Sequence, residues 1–217
     1  MDFRSWFDSL YDGFYFLDVG VAALGYLLSL RIIDSHLRSA EPTTLGWVVA
    51  LACYEPFWSV IGRQYLAYET PYTWGAWLWN HPLAYALWGS LILLLVAVYV
   101  WATVAFGTRF SNLTHRGIIT GGPYRWTKHP AYLAKNLSWW LMYIPFLAPG
   151  GAAMQLRSCL LLAGLNLVYL LRARTEERHL ARDPDYVAYA RWIEQHGLLR
   201  GIRHLPLLRQ LRFRAPD

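Results

Sequence analysis

An all-α, polytopic membrane protein with about five transmembrane helices and a C-terminal cytoplasmic helical segment is predicted by three observations. Of the 217 residues, 56% are hydrophobic, and they fall in long blocks. Charge is sparse inside those blocks and dense between them. Counted across five spans, all of the 20 Lys and Arg residues except Arg4, Arg63 and Arg157 collect on one side. That bias is a positive-inside signal, which puts the N-terminus outside and the C-terminus in the cytoplasm, of either a bacterial inner membrane or the endoplasmic reticulum. It also accounts for the net charge of +6 without nucleic acid as a partner.

Each element has its own signal. Residues 1–12 read as an interfacial segment with Trp6, Phe7 and Tyr11 as amphipathic aromatics. Its acidic character lacks the positive n-region of a cleavable signal, so the first span is expected to be retained. Span 1 covers Gly13–Ile33, with Asp18 inside it. Span 2 covers Thr44–Leu66 and carries Glu55-Pro56 near its middle, where Glu55 is either a functional group or a partner for backbone freed at a kink. Glu69–His81 is a Trp- and Tyr-rich loop at headgroup level. Span 3, Pro82–Phe106, has no charged residue. A basic loop, Gly107–Pro130, leads to span 4, Ala131–Leu147. Pro149-Gly150-Gly151 turns the chain into span 5, Ala152–Leu171. Helical periodicity continues to about His196, followed by a basic tail. The chain therefore divides into residues 1–81, spans 1 and 2 with the aromatic loop, and residues 82–217, which hold the chemistry.

Common soluble cofactor motifs are missing: no GxGxxG after a strand, no P-loop, no HExxH, no CxxC. Cys53 and Cys159 lie in apolar segments without metal-site spacing, and no metal is predicted. Two polar clusters remain, and five spans place both at the cytoplasmic face. The first holds Tyr124, Arg125, Lys128, His129 and Tyr132, bracketed by Pro123 and Pro130. The second holds Arg172, Arg174, Glu176, Glu177, Tyr186, Tyr189 and Arg191. Ionisable groups at membrane depth are costly unless paired or facing a wet cavity. Arg109 and Arg116 read as orientation signals, and Asn136 and Asn166 as interhelical hydrogen bonders.

Gly122-Pro123-Tyr124-Arg125 followed by Lys128-His129-Pro130-Ala131-Tyr132, then Glu176-Glu177-xx-Leu180 and Tyr186-xx-Tyr189, resembles the paired signature of the isoprenylcysteine carboxyl methyltransferase and phospholipid methyltransferase superfamily. The resemblance covers roughly residues 82–195. It departs at Lys128, where the family usually has Arg, at Ala134, often Gly, and at Asp183-Pro184, which replaces a Phe-Gly.

The resemblance implies an S-adenosyl-L-methionine-dependent methyltransferase embedded in the membrane, acting on a lipophilic small molecule or lipid. Pro123, Tyr124, Arg125, Lys128, His129, Pro130, Tyr132, Glu176, Glu177, Tyr186 and Tyr189 would then surround the cofactor. His129 with Arg125 or Lys128 meets its carboxylate, Glu176 or Glu177 meets its ammonium, and the tyrosines flank the adenine or the sulfonium. Glu177 is the candidate base for an amine acceptor. Arg172 or Arg191 is the candidate clamp for an anionic one. The competing reading is an NADPH-dependent membrane reductase of the sterol type, which shares the His-Pro-x-Tyr and Glu/Tyr features.

Overall fold

A computed structural model describes residues 2–66, 69 and 72–201, and the predicted basic tail lies outside them. Among the described residues seven α-helices carry the fold: α1 (Phe3–Leu27), α2 (Thr44–Leu51), α3 (Trp74–Leu78), α4 (Pro82–Phe106), α5 (Pro130–Tyr143), α6 (Ala152–Leu180) and α7 (Pro184–His196). Proline opens α4, α5 and α7 at the first turn, where its missing N–H has no partner to lose. Asp183 caps α7, its carboxylate accepting from the Asp185 N–H at 2.8 Å. Among the described residues two helices, α4 and α6, are long and apolar enough to cross a membrane.

Several elements differ from the sequence expectation: the helical run expected to reach about His196 breaks after Leu180 into α6 and α7, and the aromatic loop holds α3. The aromatic segment 3–12 is the first part of α1, whose helix starts at the Asp2 cap and ends at Leu27 rather than Ile33. Phe3, Phe7, Tyr11, Phe14 and Tyr15 pack inward against α3 and α4 instead of forming only an interfacial belt. Span 2 is not one helix. Pro56 lacks the N–H that would extend α2, and the chain resumes as a wider, π-type helix at Ser59–Leu66. Glu55 accepts from the Ser59 N–H at 3.1 Å, satisfying backbone at that break. Span 4 is shortened to the 14 residues of α5, because Pro145 starts a separate single turn.

The core is built on α4. Gly89, Ile92, Val96, Val100 and Thr103 repeat at helical spacing along its buried face. Gly89 is required there: a Cβ would sit 2.7 Å from the Phe3 ring and 2.8 Å from Trp74. At the other end, α7 lays Tyr186, Tyr189, Ala190 and Ile193 against Ala102 and Tyr124. The Tyr189 hydroxyl donates to the Tyr124 carbonyl at 2.7 Å, and the Leu198 N–H to the Trp126 carbonyl at 2.8 Å, so the basic loop and the C-terminal segment form one layer.

A two-stranded antiparallel ribbon, β1 (Ser39–Ala40) and β2 (Thr114–His115), joins the α1–α2 loop to the basic loop. Two arginines read as orientation signals strengthen that joint. Arg109 donates to the Asp34 carbonyl at 3.0 Å and to its carboxylate at 2.6 Å. Arg116, buried, donates to the Gly25 carbonyl at 2.6 Å.

His115 is buried on the ribbon, and desolvation holds its pKa below the usual 6.5 despite the Asp183 carboxylate 3.4 Å away. The unfolded chain therefore binds this proton more readily. The stability that neutral His115 contributes is present above pH 6.5 and is lost as pH falls from there through the folded pKa. Thermal melts at pH 7 and pH 5 are expected to show a smaller acid loss for His115→Gln than for the unmodified protein.

Candidate active site

The two polar clusters, nearly fifty residues apart in sequence, meet at the start of α5 and the C-terminal part of α6. The geometry follows from local rules. Gly122 has a φ of +57°, a conformation that costs glycine little, and it turns the chain into the short helix Gly122–Arg125. Pro123 and Tyr124 point into the protein. Pro130 then starts α5, so Lys128 and His129 sit just ahead of its first turn, against α6.

Lys128, only 4% exposed, places its ammonium 2.7 Å from Glu177 and 3.4 Å from Glu194. The His129 imidazole Nε2 lies 3.0 Å from the same Glu177 oxygen, and Nδ1 lies 3.8 Å from Glu176. The rings of His129 and Tyr132 stack at 5.4 Å. The Tyr132 hydroxyl donates to Glu176, which also faces Arg172 Nε at 3.4 Å. Arg172 is buried. Its guanidinium lies 5.2 Å above the Tyr54 ring and 5.1 Å above the Tyr132 ring, and it donates to the Asn112 side-chain oxygen at 2.7 Å and to the Tyr54 hydroxyl at 3.2 Å. Burial pushes the phenols of Tyr124, Tyr186 and Tyr189 well above 10, so all three stay neutral at physiological pH.

Two cavities meet at this cluster. The larger, about 460 Å³, is lined by Tyr124, Arg172, Glu176, Tyr186 and Tyr189, together with residues of α1, α2 and α4. The smaller, about 330 Å³, lies between α5 and α6. Glu177, Ala173 and Asn166, which share one stripe of α6, line it opposite Asn136. Asn166 donates to Asn136 and accepts from Trp140 at 2.7 Å, tying the two helices together. Lys128, His129, Tyr132 and Tyr169 line both cavities and form the wall between them. Both volumes fall in the range of small-molecule sites.

Most of the residues singled out in the sequence therefore lie in or against one site. Pro123 and Pro130 are buried behind it and shape the backbone. Arg125 and Arg191 are placed elsewhere, and both expectations are corrected. Arg125 is exposed and stacks over Trp126 at 5.0 Å, because the short helix turns Tyr124 inward and the next side chain outward. Arg191 follows Ala190, the centre of the buried stripe of α7, so helical rotation points it to the outside. Of the two candidate clamps, Arg172 faces the larger cavity. Sequence reasoning missed Tyr54 and Asn112, the partners that hold Arg172. Neither sits in a motif of its own, although Asn112 follows directly on Gly107-Thr-Arg-Phe-Ser. Among the described residues no group of His, Cys, Asp and Glu is arranged to hold a metal.

Residues 83–182 match the model of the isoprenylcysteine carboxyl methyltransferase (ICMT) family. No curated protein and no solved structure matches the chain significantly.

Proposed function

We propose, from the match of residues 83–182 to the isoprenylcysteine carboxyl methyltransferase family model, that the chain is an integral membrane S-adenosyl-L-methionine-dependent methyltransferase acting on a lipophilic or membrane-partitioned acceptor. The observation that carries this reading is the apposition of Lys128 and His129 with Glu176 and Glu177 at a wall shared by two cavities. A two-substrate transfer needs two compartments that meet at one point, and this wall provides such a point.

The donor set fits the cofactor. Its amino-acid end is a zwitterion, and the wall offers cations and carboxylates within 4 Å of one another. The neutral ring faces of Tyr124, Tyr132, Tyr186 and Tyr189 suit an adenine or a sulfonium. When bound, S-adenosyl-L-methionine supplies an electrophilic methyl group on sulfur, open to in-line displacement. The protein's own work is positioning and exclusion of water. Lys128 and His129 hold an anionic end, and Glu176 a cationic one. Arg172, fixed between two tyrosine rings, presents its charge to the larger cavity. A carboxylate or thiolate acceptor needs no base. For an amine acceptor, Glu177 takes the proton.

On this reading the chain crosses the bilayer five times, with α1, the broken α2 segment, α4, α5 and α6 as the crossings. The charge bias then puts the site at the cytoplasmic side. Calorimetric titration of the purified protein in detergent, separately with S-adenosyl-L-methionine and with NADPH, is expected to show saturable binding of the first alone. Binding of NADPH alone overturns the assignment.

A further inference from the structure

One turn deeper along α5 and α6 lies a second polar cluster, which shares only Tyr169 with the wall. Lys135 is one turn beyond Tyr132 on α5, and Tyr169 one turn before Arg172 on α6, each about 4.5 Å deeper along its helix. Asp18 enters from α1, and Tyr99 and Thr103 from α4. All five line the larger cavity. The Tyr99 hydroxyl donates to the Asp18 carboxylate, and the Thr103 hydroxyl donates to it at 2.6 Å, which fixes the anion in place. The Lys135 ammonium sits among three rings, 5.1 Å from Tyr99, 5.3 Å from Trp139 and 6.0 Å from Tyr169.

Among the described residues Lys135 has neither a hydrogen-bond partner nor a carboxylate within 4 Å, and its ammonium is not sealed off in the interior. It opens onto the cavity. Residue usage adds a second argument. Lys128 and Lys135 are the chain's two lysines, and every other cation is arginine. They are seven residues apart, Lys128 just ahead of α5 and Lys135 within it. Lys128 faces two carboxylates, Glu177 and Glu194. Lys135 is a compact three-donor charge without an anion to receive its protons. An uncompensated ammonium at this depth is costly, and an anionic ligand relieves that cost.

We infer that Lys135 is the group that reads the acceptor: it binds an oxyanion on the polar end of an amphiphilic acceptor lodged in the larger cavity, which Asp18 also lines. This deepens the methyltransferase reading and rests on it for the word acceptor. Asp18 lies outside the family-matched segment, so acceptor choice draws on α1 as well as on the motifs.

The test uses the full-length protein in nonionic detergent, with sodium dodecanoate and methyl dodecanoate as probes, followed by tryptophan fluorescence, and with S-adenosyl-L-methionine titrated in parallel. Dodecanoate is expected to bind at least about tenfold more tightly than its ester, as a charge-assisted contact provides. Lys135→Met removes that preference while leaving S-adenosyl-L-methionine affinity within about threefold. Asp18→Asn is an independent probe and tightens dodecanoate binding, because it removes a like charge. Equal binding of acid and ester, or an unchanged preference in Lys135→Met, overturns the inference. So does a loss of S-adenosyl-L-methionine affinity in Lys135→Met equal to the loss for dodecanoate, which would make Lys135 a cofactor-carboxylate residue. Failure of the unmodified protein to bind S-adenosyl-L-methionine, with the dodecanoate preference intact, sinks the methyltransferase reading and supports the oxyanion site.

Discussion

Replacing Glu177 with glutamine is expected to lower both stability and cofactor affinity. Glu177 is 10% exposed at its side chain and serves Lys128 at 2.7 Å and His129 at 3.0 Å. Removing one partner of a buried ion pair costs about 3–5 kcal/mol, because the other charge stays behind. Glu194 at 3.4 Å keeps part of the compensation, so a loss near 3 kcal/mol, or roughly 10 °C in Tm, is expected. A paired replacement separates structure from recognition. Lys128→Met with Glu177→Leu removes both charges and is expected to recover most of the stability but not S-adenosyl-L-methionine binding. His129→Ala, at a side chain 20% exposed, costs less stability but is expected to weaken cofactor binding about tenfold or more. Unchanged affinity in all three proteins would place the cofactor elsewhere.

Arg172→Ala is expected to have the largest effect on turnover. Its guanidinium is held by two rings, by Asn112 and by Glu176, so its charge sits at a fixed point on the cavity wall. A prepositioned charge of this kind contributes about 10²–10³ in rate. Transfer of labelled methyl groups to a membrane extract is expected to fall by that factor, with cofactor affinity changed by less than about tenfold. Arg172→Lys does not rescue it, because an ammonium cannot lie flat between Tyr54 and Tyr132 while also reaching Asn112. A rate loss matched by an equal loss of affinity would reduce Arg172 to a wall of the cofactor pocket.

The sequence revealed those features of the fold and site that depend on local rules. Prolines 82 and 130 mark helix starts because a proline N–H is dispensable there, whereas the break before Pro184 reads in the sequence as continuing helix. The stripe Asn166–Ala173–Glu177 follows from helical spacing alone. What was hidden depends on tertiary neighbours. Asp18 and Tyr99 are 81 residues apart, and nothing local to either announces the other. Arg125 and Lys128 look equivalent as loop cations. Only the turn at Gly122 decides that one stacks outside on Trp126 and the other is buried against Glu177. The full extent of α1 was misread for a similar reason: its aromatics suit a headgroup belt equally well until α4 is there to receive them.

The enclosure of both lysines has a practical consequence for chemistry done on this protein. Amine-directed reagents meet no lysine elsewhere on the described surface. At lysine side chains, reductive methylation or isotope-coded acylation therefore becomes a footprint of the interior. Protection of position 128 and of position 135 can be read separately by peptide mass, the first facing both cavities and the second the larger one.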